Sequence, residues 1–153
     1  MIVTEPIDIA QLLQQAHRAE AGAVVMFSGE VRNNHNGKAV QYLEYEAYMP
    51  MAEKIIDAIV REATQRWNLC FASAVHRIGR VEISESAVVV ITAHGHRKEA
   101  YEANRYIIDK IKSDVPIWKC EYYTDGTHKW GKNENVVESM SETKQPSEEH
   151  SEP

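Results

Sequence analysis

The stretch Lys112-Ser113-Asp114-Val115-Pro116-Ile117-Trp118-Lys119-Cys120-Glu121 decides how this chain is built. It starts at the end of an apolar helical pattern and finishes inside a short alternating run. Val115-Pro116 marks the break, because the residue before proline is pushed out of helical geometry. Beyond it, alternation puts Trp118, Cys120 and Tyr122 on one face of a strand, and Ile117, Lys119, Glu121 and Tyr123 on the other. The first face reads as core. The second presents a lysine and a carboxylate in an apolar setting, where a lysine on a rigid strand can shift its pKa and act on a carbonyl or phosphate. Lys112, one short loop upstream, points toward the same space. A plainer reading stands beside this one: Lys112 complements a helix C-terminus, and Lys119 is an edge charge that deters aggregation.

Upstream, a helix is expected over 98–112, with Ala100, Asn104, Ile107, Ile108 and Ile111 on its inner face. Before it, 87–92 is a β-branched run that reads as a central strand. The two are joined by Ala93-His94-Gly95-His96-Arg97. A helix N-terminus offers free N–H groups and a positive dipole end, so His96 and Arg97 make a phosphate or carboxylate cradle there. Zinc is the competing reading of His-Gly-His, but it lacks a third ligand at suitable spacing. Downstream, Thr124-Asp125-Gly126 signals a turn, after which His128-Lys129-Trp130 returns along the strand.

Toward the N-terminus, Asp8 caps a helix that begins at Ile9, and Gly22 is its expected stop. Residues 23–31 read as a buried strand. The polar loop 32–38 contains an Asn-Gly turn signal, and 40–48 alternates again, so 23–48 reads as a β-hairpin. Arg32, at the start of that loop, either caps the hairpin or binds an anion through its planar fork. Pro50 opens a helix with Met51, Ile55, Ile59, Ala63 and Trp67 on its core stripe. Residues 69–78 read as a strand in which His76 is a structural histidine. The mixture of strands and helices indicates one α+β domain over 1–136, a mixed sheet with helices packed on it. An acidic, disordered tail is expected over 137–153.

With 153 residues, 43% hydrophobic and 26% charged, the chain has the composition of a single globular domain. Its net charge of -6 argues against general nucleic-acid binding. Two cysteines, Cys70 and Cys120, lie in apolar runs and fit reduced thiols in the cytoplasm. No apolar segment is long enough to span a bilayer, and no signal peptide is expected. The residues with chemistry gather at element ends: Glu30-Val31-Arg32, His96-Arg97, and 112–121. Two lysines, two arginines and a histidine, with two glutamates, suit an anionic substrate. A Cys120 nucleophile is disfavoured by its core-facing parity. A module that binds an acidic or C-terminal carboxylate peptide without catalysis is the alternative for the same basic set.

Four motifs in order resemble one family. They are Ser28-Gly29-Glu30-Val31-Arg32-Asn33, Val75-His76-Arg77-Ile78-Gly79, His96-Arg97 with Ala100-Tyr101-Glu102-Ala103, and Pro116-Ile117-Trp118-Lys119. Their order, over about 22–133, resembles MoaE, the large subunit of molybdopterin synthase. The resemblance implies an α/β hammerhead fold and a homodimer flanked by two copies of MoaD, a small ubiquitin-like sulfur carrier, in a heterotetramer. The carrier's C-terminal Gly-Gly thiocarboxylate would supply two sulfurs in turn to cyclic pyranopterin monophosphate, with no metal or other cofactor in this subunit. By the same resemblance Lys119 and Lys112 are catalytic. Glu30, Val31, Arg32, His96, Arg97, Lys112, Lys119, Cys120 and Glu121 fall at substrate-binding positions. Cys120 stands where the family's pattern has a basic residue.

Overall fold

The computed structural model describes residues 1–133. The boundary expected at 136 and the acidic tail lie outside the described residues. The elements follow as β1 (Ile2–Val3), α1 (Ile9–Ala16), β2 (Ala23–Glu30), β3 (Asn34–His35), β4 (Lys38–Ala47) and α2 (Met51–Trp67). Then come β5 (Phe71–Arg77), β6 (Gly79–Glu82), β7 (Ser86–His94), α3 (Arg97–Asp114), β8 (Ile117–Tyr123) and β9 (His128–Lys132).

The strands form two sheets. One has the order β1-β5-β7-β2; the other runs β3-β4-β8-β9, with β6 also paired to β4. The α+β expectation holds. β7 is the central strand foreseen, and residues 87–93 are buried on both faces, which is why the run does not alternate. Asp8 caps α1 by accepting from the Gln11 amide at 3.1 Å. The helix stops at Ala16, however, with an extended His17 as its C-cap, and not at Gly22. The α2 stripe is rotated from the expected one: Ala52, Ile56, Ile59 and Ala63 are buried, and Met51 is exposed.

One expectation of pairing is corrected. β2 and β4 do not form a hairpin. β2 pairs with β7, and β4 with β3, β6 and β8. The Asn-Gly signal is real, but it serves the much smaller β3–β4 hairpin. Asn36 and Gly37 both take positive φ there, 49° and 77°, as a tight two-residue turn requires. The strand expected over 69–78 forms as β5, with Gly79 just past its end. Gly79, at φ 86°, turns the chain out of one sheet and into β6 of the other.

A second correction concerns β8. Ile117, Glu121 and Tyr123 are buried with the core, and Lys119 shares their face; Trp118 is 40% exposed and Tyr122 half-buried. The inward face is therefore the lysine's, not the tryptophan's. Tyr122 instead stacks on Tyr42, ring centroids 4.5 Å apart, across the outer side of the sheet.

α3 crosses the interior with Ala100, Ala103, Asn104, Ile107 and Ile111 buried. Each fully buried isoleucine contributes about 2–3 kcal/mol, so this stripe fixes the helix and everything attached to its ends. Asn104 is the polar exception and is satisfied: its amide donates to the carbonyls of Val25 and Val90 at 3.1 and 3.0 Å, tying α3 to β2 and β7. Among the described residues no helix is long and apolar enough to cross a membrane.

Candidate active site

Lys119 sits mid-strand in β8, flanked in register by Tyr45 on β4 and Gly131 on β9. Both neighbours hold its backbone, so the side chain is aimed by the sheet. Its ammonium lies 3.7 Å from Glu121 Oε1. That carboxylate is nearly enclosed and has two further partners: His35 Nδ1 at 2.9 Å from Oε1, and the Tyr123 hydroxyl, which donates to Oε2 at 2.7 Å. Burial and the bond to Glu121 push the Tyr123 phenol up to about 12, and burial with the Glu121 charge does the same to Tyr45. Both phenols therefore stay protonated donors across the physiological range.

Lys112 arrives from the last turn of α3. The Ile107–Ile111 stripe holds that turn against the core, and Val115-Pro116 sends the chain back as β8, so one loop brings the two lysines together. The Lys112 ammonium donates to Asn133 Oδ1 at 2.8 Å. Burial, aided by the Lys119 charge, lowers its pKa to about 8. Lys112 is thus an amine that gains and loses a proton near neutrality.

A cavity of about 520 Å³ is lined by Glu30, Arg32, His35, Lys112, Lys119 and Glu121. A second, of about 530 Å³, approaches from the other side, past Lys38, Tyr123 and Trp130, and shares His35, Lys119 and Glu121 with the first. Lys119 is accordingly reached from two directions.

The expected site residues divide. Glu30, Arg32, Lys112, Lys119 and Glu121 meet at one cavity. Val31 does not join them directly. Its side chain is buried in the core, its amide donates to the Glu85 carbonyl and its own carbonyl accepts from Ser84. Cys120 is fully buried and alternates away from Lys119, and burial pushes its thiol up. It is no nucleophile for this cavity.

His96 and Arg97 stand apart. They are exposed at the N-terminus of α3, and fifteen residues at about 1.5 Å each put Arg97 roughly 22 Å from Lys112. The single pocket expected from the three segments is therefore not made within one chain. At that far end His96 donates its backbone N–H to His94 Nδ1 at 3.0 Å, and His94 lies 3.5 Å from Glu99. Among the described residues no cluster of histidine, cysteine or carboxylate side chains could hold a metal ion.

Sequence reasoning overlooked His35 and Asn133. The Asn36-Gly37 turn was a usable signal for His35, since the residue before such a turn is fixed in direction. Asn133 had none.

The family model described as MoaE protein matches residues 2–114. The chain belongs to the MoaE family. It is 48% identical over 129 residues to the molybdopterin synthase catalytic subunit of Staphylococcus aureus (strain COL), covering 84% of this chain and 86% of that protein. The Staphylococcus carnosus (strain TM300) protein of the same name is 45% identical over 141 residues, 90% of this chain and 94% of the other. Among solved structures, molybdopterin synthase from Staphylococcus aureus superposes with a TM-score of 0.80 at 47% identity, over 85% of this chain and 94% of that one. In this member of the MoaE family the lysine cavity joins the last turn of α3 to β8.

Proposed function

We propose that this chain is the catalytic subunit of a molybdopterin synthase, transferring sulfur from the C-terminal thiocarboxylate of a small MoaD-type carrier to cyclic pyranopterin monophosphate. The observation that carries the reading is the convergence of Lys119 and the easily deprotonated Lys112 on one cavity, in a chain 48% identical to a protein of that name.

Both reactants are anions, and the cavity supplies cations on a rigid frame. Lys119 stabilises charge that develops as the thiocarboxylate sulfur bonds to a side-chain carbon of the pterin and the carbon–oxygen bond there breaks, the oxygen leaving with a proton. Lys112, its pKa lowered to about 8, exchanges protons as water cleaves the carrier's acyl–sulfur bond. Glu121, held by His35 and Tyr123, aims the Lys119 ammonium. The sulfur arrives on the carrier, so no cysteine of this chain is required. The second cavity gives an extended Gly-Gly terminus its own approach to Lys119. The relatives' name favours catalysis over a peptide-binding module, and the two free thiols fit a cytoplasmic setting.

Arg32 holds the phosphate within the chain. His96 and Arg97 serve the same anion from a second copy, in the homodimer that the family resemblance implies. Met26 and Phe27 on the edge strand β2, with Tyr101 on α3, leave an exposed apolar face suited to that pairing. The test is a reconstituted assay with thiocarboxylated carrier and the cyclic phosphate substrate. Formation of dithiolene by this chain, and its loss in Lys119→Ala, is the expected result; no product from the intact chain would overturn the reading.

A further inference from the structure

His76 is fully buried on β5, in the sheet that does not carry Lys119, and no step above uses it. It is nonetheless connected to that centre. His76 Nδ1 lies 2.8 Å from the backbone carbonyl of Arg77, and a carbonyl can only accept, so Nδ1 carries the proton. Nε2 is then the acceptor, and it faces Asn133 Nδ2 at 3.2 Å. An asparagine that offers its NH2 to His76 must turn its oxygen the other way. That oxygen accepts from Lys112 at 2.8 Å.

We infer that His76 and Asn133 are positioning residues for Lys112, acting through one hydrogen-bond chain whose direction is set by the Arg77 carbonyl. The inference rests on the catalytic reading of Lys112. Three observations make it more than packing. Asn133 is itself buried, at 2% exposure, so its amide has no water to turn toward. Its backbone N–H donates separately to the Ile117 carbonyl, so the backbone at Asn133 stays pinned whatever the side chain is. His76 is held by the edge of the Tyr45 ring, centroids 5.1 Å apart, and burial lowers its pKa to about 4, so its accepting nitrogen persists through neutral pH. A protonated His76 would donate from both nitrogens, flip the amide and turn its NH2 against the Lys112 ammonium.

The experiment reads the Lys112 titration by NMR of lysine-labelled full-length chain, with Lys112→Arg identifying the signal, beside turnover with thiocarboxylated carrier. The other charged or titratable groups facing Lys112 stay in place: Lys119 and Glu121 from β8, Glu30 and Arg32 at the end of β2, and His35 and Tyr45 around the hairpin. Asn133→Ala removes an acceptor from the ammonium and is expected to move the midpoint down. Asn133→Asp supplies a charged acceptor and is expected to move it up. Asn133→Ala should also lower kcat roughly 10- to 100-fold, the cost of a misplaced group, with KM within about twofold. His76→Phe keeps the ring but accepts no bond, and should shift Lys112 as Asn133→Ala does; where it fails to fold, the Asn133 pair decides alone. A midpoint that stays put, or that moves the same way in both Asn133 variants, overturns the inference. Normal turnover in Lys112→Ala would overturn the catalytic reading and this inference together. An inactive Lys112→Ala beside an Asn133→Ala with wild-type rate and midpoint would overturn the positioning alone.

Discussion

At its C-terminal end α3 holds Lys112 half-buried, bonded to Asn133 and close enough to Lys119 for the two charges to compete. At its N-terminal end His96 and Arg97 stand exposed, and the contacts there run to His94 and Glu99. The same residue classes occupy both ends, and the sequence treats them alike. Burial separates them. Desolvation lowers the pKa of Lys112 and makes it a proton carrier, whereas an exposed arginine beside a helix N-terminus remains a permanent charge suited to holding an anion. On the proposed reading one end carries the chemistry and the other the binding, and a helix of eighteen residues keeps them too far apart to meet in one chain.

The comparison breaks first at Lys119. Lys119→Ala should reduce turnover about 10²- to 10³-fold, the usual loss when a charge-stabilising donor is removed from a reaction site. Its side chain is 27% exposed, so the unfolding temperature should hardly change. A rate within a few-fold of wild type, in protein shown to be folded, would move the chemistry elsewhere.

Lys112 gives the next effect. Lys112→Arg keeps the charge but cannot deprotonate, so it should be nearly as impaired as Lys112→Ala, by about 10²-fold. The wild-type rate should rise with pH through about 8, because the neutral amine gains population as pH climbs past the lowered pKa. An arginine variant that restores the rate, or a flat profile from pH 7 to 9, would make Lys112 a fixed charge like those at the other end.

Arg97→Ala should act on binding. We expect KM for the phosphate-bearing substrate to rise about tenfold with kcat little changed, and the remaining binding to depend less on salt. Equal affinities across a salt titration would remove Arg97 from the site.

The smallest effect is on acid stability. His76 has a folded pKa of about 4 against an ordinary 6.5. Between those values the unfolded chain binds the extra proton, so stability falls as pH drops through that window. His76→Phe should flatten the fall in chemical unfolding followed at pH 7, 6 and 5; an unchanged slope would assign the acid sensitivity to other groups.

Much of this was legible. β7 was read correctly because a strand buried on both faces leaves an unbroken β-branched run, and the inner face of α3 followed from its period. The meeting of Lys112 and Lys119 followed from the Pro116 break. The facing of β8 did not follow, because alternation yields two sets without saying which one looks inward. Both sets of β8 carry large apolar residues, and Trp118 and Tyr122 outweighed Ile117 and Tyr123 on size alone. The β2–β4 hairpin failed because turn chemistry fixes local geometry, here only that of β3 and β4, while the sheet partner of β2 is chosen by the distant β7. Asn133 was invisible for a related reason: its partners lie 21 and 57 residues away and meet it only once β9 has returned along β8.

Mixing two impaired variants tests most directly whether the ends of α3 serve one site across two copies. A Lys119→Ala chain and an Arg97→Ala chain are co-expressed with different tags, and the mixed dimer is purified and assayed. If the lysines come from one copy and Arg97 from the other, one of its two sites is built wholly from intact residues. The mixed dimer should then recover about half the wild-type rate per dimer at low substrate. A mixed dimer no more active than its parents would contradict the account, since it would require Arg97 and Lys119 to act within the same chain.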